Sequence, residues 1–174
     1  ARQVLPFGVA EVDRALPGGG LAFGALHEVA GGGGGTVDGA AAALFVAGIA
    51  SRSRGKVLWC MTRPDLFFPA VAQAGLHPDR VVFCESDREE EALSAMEEGL
   101  SFGGLAAVVG ELVRLPMTAS RRLQLAAEKT GAMGIVLRRW RRQNEASDYG
   151  QPTASTTRWR ISTLPSERLP VAGV

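Results

Sequence analysis

Cysteine, lysine, net charge and long apolar runs are all scarce in this chain of 174 residues. The two cysteines, Cys60 and Cys84, fall inside apolar runs that read as buried strands, so reduced thiols are expected rather than a disulfide. No secretory signal is recognised in the opening residues, and the expected compartment is a reducing cytoplasm. The longest uncharged apolar stretch, residues 39–50, is about half the ~20 residues that a bilayer span requires, and it is mostly Ala and Gly. No membrane association is expected. A net charge of +1 with 46% hydrophobic residues excludes disorder as the overall state. The length suffices for one core that buries roughly 70% of the unfolded surface.

The small net charge conceals an asymmetry. Residues 1–111 carry a net charge of −6 and residues 112–174 one of +7. Only Lys56 and Lys129 among the 19 basic residues are lysines. A basic, arginine-dominated end suits a polyanion or an acidic protein face, and equally a solvated rim.

Apolar runs alternate along the chain with amphipathic segments. Residues 25–30 form a short apolar run that ends in five glycines, Gly31, Gly32, Gly33, Gly34 and Gly35, and residues 40–52 have helix composition. Strands are expected at 56–61, 80–84, 105–109, 134–137 and 158–163, and helices at 66–75, 87–100 and from 118 or 119 to 131. In the helix at 87–100, Asp87 is the expected cap. Glu89, Glu90 and Glu91 suit the positive end of its dipole, and Leu93, Met96 and Leu100 share one face. This alternation predicts an α/β fold, a mostly parallel sheet with helices on both faces. The run at 105–109 is wholly apolar and lies between two amphipathic helices, so it is expected as a central buried strand. Residues 143–157 are polar and aperiodic and read as a long loop.

Two groups of polar residues carry little chemistry. His27 and His77 have no carboxylate or thiol at ligand spacing, so no metal site is expected, and His27 reads as a hydrogen-bonded core histidine. The run Glu89 to Glu91 reads as an exposed first helical turn rather than an acid/base pair.

The segment Gly24-Ala25-Leu26-His27-Glu28-Val29-Ala30-Gly31, followed by a glycine-rich loop and an Ala-rich helix, resembles the phosphate-loop entry of RecA-like recombinases. The likeness continues in order through residues 56–61, 76–83 and 105–109. Residues 13–21, 95–100, 118–128 and 157–161 are similar to the ImuA family, the RecA-like members of the bacterial damage-inducible mutagenesis cassette. The resemblance implies a RecA-like three-layer α/β fold over residues 1–174, a single core domain trimmed at its termini.

Several parts of a working ATPase are missing from that pattern. A phosphate loop needs GxxxxGK[ST], in which backbone amides hold the phosphates, the Lys neutralises them and the hydroxyl binds magnesium. Counting from Gly31 places Thr36 at the second Gly, Val37 at the Lys and Asp38 at the Ser/Thr; counting from Gly34 restores Gly39 but is followed by Ala40 and Ala41. Where the family's magnesium aspartate would follow residues 105–109, the chain reads Gly110-Glu111. Where a catalytic glutamate would follow the second core strand, it reads Thr62-Arg63-Pro64-Asp65. Phosphoryl transfer depends on positioned charge, so no catalysis and no cofactor are expected. The alternative is a DNA-dependent ATPase with a displaced site.

The basic segment Arg138-Arg139-Trp140-Arg141-Arg142 opens the long polar loop. By resemblance it matches a second DNA-binding loop, while the first such loop is shortened to residues 114–118. Four guanidiniums around an indole suit phosphate contacts with base stacking. They also suit an acidic partner, or pairing with the protein's own carboxylates with Trp140 packed inward. By resemblance the partners are a polymerase-related protein, ImuB, with RecA and single-stranded DNA as further candidates, in SOS mutagenesis and translesion synthesis. The family's polymerase contact is expected near the C-terminal end.

Overall fold

The computed structural model describes residues 2–33 and 35–166. Gly34, one of the loop glycines singled out above, lies outside the described residues. The chain opens with β1 (Val4–Leu5), α1 (Ala10–Ala15) and β2 (Leu21–Ala22), then enters the main sheet with β3 (Ala25–Gly31). It continues through α2 (Thr36–Arg52), β4 (Val57–Met61), α3 (Phe68–Gln73), β5 (Val81–Glu85), α4 (Glu89–Phe102) and β6 (Ala107–Leu112). The last elements are α5 (Met117–Thr130), β7 (Met133–Arg138) and β8 (Thr157–Ile161). β1 and β2 pair antiparallel in a sheet of their own. The other six strands form one parallel sheet in the order β5-β4-β6-β7-β3-β8.

Because parallel strands need crossovers, helices cover both faces and the central strands are apolar on both sides. β3, β6 and β7 are buried at every residue. Their side chains alternate between two cores. Val29, Trp59, Val109 and Ile135 meet Val46 and Ile49 of α2 and Val71 of α3 on one face. Leu26, Cys60, Val108 and Val136 meet Met96 and Leu100 of α4 and Leu123 and Ala127 of α5 on the other. The architecture is three-layer α/β, as expected. Alanines dominate the buried side of α2, which brings that helix close to the strands. α4 and α5 each end at a glycine in the left-handed region, Gly103 and Gly131.

Some expected boundaries are displaced. The strand expected at 105–109 is third in the sheet and buried, but it runs two residues later and includes Gly110, Glu111 and Leu112. Asp87 does not cap α4, whose N-cap is Arg88. α2 begins at Thr36, inside what was read as the glycine loop, because Asp38 organises that turn as described below. The long polar loop contains a 3-10 stretch, Gln143–Gly150. Cys60 and Cys84 are register partners on β4 and β5 and both are free thiols. Burial, then the neighbouring Cys84, pushes the Cys60 thiol up to about 12. Among the described residues no helix is long and apolar enough to cross a membrane.

Candidate functional site

All six parallel strands deliver their following loops to the same edge of the sheet. β4 and β6 are neighbours whose outgoing connections leave in opposite directions, to β5 on one side and to β7 on the other. Such a switch point leaves a crevice at the carboxyl ends of the strands, where open α/β sheets hold ligands. Here the crevice lies among Arg63, Glu89, Glu111, Arg114, Arg139 and Arg141, with a volume of about 300 Å3.

The glycine turn forms one wall of an adjoining cavity of about 410 Å3, which also meets Arg63, Asp65, Arg139, Trp140 and Arg141. Gly31 ends β3 against the first turn of α2: a Cβ there would stand 3.0 Å from the Asp38 backbone. The Gly32 N–H donates to the Ile161 carbonyl (2.7 Å) and the Gly33 N–H to Asp38 Oδ2 (2.8 Å). Asp38 Oδ1 accepts the Thr163 N–H (3.1 Å) and the Thr163 hydroxyl (3.3 Å). Asp38 therefore fastens the turn after β3 to the chain leaving β8. The backbone donors of Thr163 and Gly33 hold its carboxyl below the ordinary aspartate value. Thr36 starts the helix and Val37 points to solvent, 65% exposed. Both lysines are distant: Lys56 precedes β4 and Lys129 ends α5, at the opposite edge of the sheet.

Glu111 is buried and fully engaged. Its Oε2 accepts the Trp59 indole N–H (2.7 Å) and its Oε1 a guanidinium N–H of Arg139 (2.7 Å). Arg139 also grips Asp65, at 2.7 Å and 3.4 Å. The residue before it, Gly110, faces α4: a Cβ there would lie 2.5 Å from the sulfur of Met96. A side chain there would require Met96 to move.

Arg138 is the largest departure from the basic-segment expectation. It is the last residue of β7, not the first of a loop, and its side chain is 0% exposed. It donates to Glu28 Oε1 (3.0 Å), to the Val113 carbonyl (2.8 and 3.1 Å) and to Asp148. Glu28, equally buried in β3, takes Arg158 Nε (3.1 Å) and the Thr153 hydroxyl on its other oxygen. Tyr149 closes the cluster beneath Arg158 (4.4 Å from guanidinium carbon to ring centroid), Arg160 (5.0 Å) and Arg138 (5.5 Å). Its hydroxyl donates to the Trp159 carbonyl (2.8 Å). This network binds the 139–156 arch to the sheet.

The segment is therefore divided. Arg138 and Arg139 face carboxylates of the protein itself. Trp140 is half-buried, edge-on to Tyr149 (5.8 Å), and its indole nitrogen is enclosed without a partner. Arg141 and Arg142 are exposed, and their backbone N–H groups are held by Glu145. The structure brings Arg63 and Arg114 to the same edge, Arg114 being the first residue of the short loop 114–118, and sets Glu28, Asp148 and Tyr149 behind them; Glu28 and Asp148 were not singled out in the sequence. One signal was available: an acid inside the apolar run 25–30 requires a buried cation. His27, also in that run, has both ring nitrogens bonded, to Thr157 Oγ1 (2.7 Å) and the Ala22 carbonyl (2.8 Å), and burial lowers its pKa.

Sheet order, helical layers and the crevice at the strand ends place the chain among three-layer α/β proteins. SulA from Pseudomonas aeruginosa shares this fold, with a TM-score of 0.54, 21% identity, and coverage of 66% of this chain and 98% of that one. No family profile matches the chain. Over 172 residues it is 42% identical to Protein ImuA of Caulobacter vibrioides, in strains NA1000 and ATCC 19089 alike, which covers 94% of this chain and 70% of that protein. The chain belongs to the ImuA family.

Proposed function

We propose that the protein is a non-catalytic, RecA-like accessory factor of damage-induced mutagenesis and translesion synthesis in the bacterial cytoplasm, acting through protein partners. Kinship with ImuA supports the setting, and a polymerase-related protein of the ImuB type and RecA are the partners this kinship suggests. The observation that carries the non-catalytic part is the Asp38 carboxylate seated in the glycine turn. A phosphate loop offers free amides and a lysine to an incoming anion. This turn offers amides already bonded to Asp38 and Ile161, a negative charge, and Val37 or Ala40 in the lysine position. Glu111, the nearest carboxylate to a magnesium position, is held by Trp59 and Arg139.

Calorimetric titration with Mg-ATP, together with phosphate release measured with and without single-stranded DNA, tests this. Neither micromolar binding nor turnover is expected. Micromolar affinity or multiple turnovers would establish the alternative, a DNA-dependent ATPase with a displaced site. Single-stranded DNA remains a second ligand class, favoured by the exposure of Arg141 and Arg142 beside Trp140.

A further inference from the structure

The cavities at the carboxyl edge of the sheet are consecutive. The cavity beside the glycine turn shares Arg63, Arg139 and Arg141 with the crevice, and the crevice shares Arg114 and Glu145 with a third hollow of about 390 Å3. Together they form one groove across the ends of β3, β7, β6 and β4. Its charges are not equivalent. The carboxylates bordering it are all engaged by N–H donors: Asp65 and Glu111 by Arg139, Glu89 by the backbone of Val113 and Arg114, Glu145 by that of Arg141 and Arg142, and Asp148 by Arg138. Three of the bordering arginines, Arg63, Arg114 and Arg141, form no ion pair among the described residues.

We infer that this groove is the docking site for an extended acidic segment of a partner protein, whose spaced carboxylates pair with Arg63, Arg114 and Arg141. The inference rests on the reading of the protein as an adaptor and adds the chemistry of the partner and the residues that meet it. Guanidinium forks recognise carboxylates bidentately, and arginine loses less on desolvation than lysine would. A peptide fits the groove better than a nucleic acid strand because the lining is of mixed charge. The three arginines share the groove with Asp65, Glu89, Glu111 and Glu145, so a backbone with an anion at every unit meets carboxylates between its contacts, whereas a peptide can place neutral residues there.

Fluorescence anisotropy with a labelled short peptide carrying glutamate at every third position tests the site, with an oligothymidine of equal charge as the comparison. The peptide should bind at low salt. Arg63→Gln combined with Arg114→Gln should weaken it on the order of tenfold or more, as expected for loss of charged hydrogen bonds. Arg142→Gln, which lies outside the groove, should change little. Absence of peptide binding, tighter binding of the oligothymidine, or equal affinity of the double variant would each overturn the inference. Damage-induced mutation frequency in a strain lacking the gene separates the two levels. A deletion that leaves that frequency unchanged sinks the adaptor reading, whereas a deletion phenotype fully rescued by the double variant sinks only the groove.

Discussion

Replacing Arg138 by alanine separates a structural arginine from a ligand contact. The side chain is 0% exposed and makes bonds to Glu28, Val113 and Asp148. Removing one member of a buried ion pair costs about 3–5 kcal/mol, because the other charge is left in a poor solvent. Glu28 keeps Arg158 and Thr153 on its second oxygen, so the lower end, about 3 kcal/mol, is expected. For a domain of this size each kcal/mol moves Tm by about 2–4 °C, which gives a drop of about 6–12 °C. Urea unfolding and thermal melts measure it. The double variant Arg138→Ala, Glu28→Ala should lose less than the sum of the two single changes, with a coupling of about 0.5–3 kcal/mol. Limited proteolysis should also find new cleavage within 139–156, since Asp148 and Tyr149 lose their anchor. Wild-type stability in Arg138→Ala, with only ligand binding reduced, would refute the assignment and return Arg138 to the surface.

Other consequences are simpler to check. Asp38 is held below its ordinary pKa by Thr163 and Gly33, so its contribution to stability is complete above the unfolded value of about 3.9 and fades as pH falls through the lower folded value. Asp38→Asn should therefore flatten acid unfolding below about pH 4 relative to wild type, and an unchanged acid limb would contradict the latch. Cys84 is half-buried and Cys60 fully buried with its thiol pushed up to about 12, so a thiol reagent at pH 8 should titrate Cys84 alone until the protein is unfolded. Gly110→Ala should cost about 1–3 kcal/mol in urea unfolding through the collision with Met96, and Gly110→Asp should be worse while conferring no magnesium-dependent activity. A neutral Gly110→Ala would mean that α4 yields easily at this point.

The parallel strands were legible because a strand covered on both faces is a continuous apolar run, and Val57–Met61 and Met133–Arg138 stand out between polar loops. Their ends were not. Gly110 and Glu111 interrupt the apolar pattern, yet they continue β6, because Glu111 finds the Trp59 indole, 52 residues earlier in the chain. The opening elements escaped notice for a different reason. β1 and β2 have two residues each, too few for any periodicity, and Asp13 fixes the turn before α1 by accepting the N–H groups of Phe7 and Gly8.

At the site, sequence alone placed the arginines at the end of a strand and left open which of them face outward and which pair with the protein's own carboxylates. Charge at a strand end ordinarily marks the surface, but a buried acid nearby can draw an arginine inward. What divides the row is the register of β7. Arg138 is still in the strand, opposite Ala30 of β3 and Leu112 of β6, while Arg139 bonds from beyond it to the Leu112 carbonyl. The buried acid that fixes this division, Glu28, lies 110 residues away in sequence. Charge pairing across such a separation leaves no local trace, but it is not arbitrary. A carboxylate inside the sheet must be neutralised, and Glu28 is reached both by Arg158, its register partner on β8, and from the end of β7. An arginine at the mouth of the neighbouring strand is therefore drawn inward, and the groove is left to the arginines of the loops beyond, on Arg63, Arg114 and Arg141.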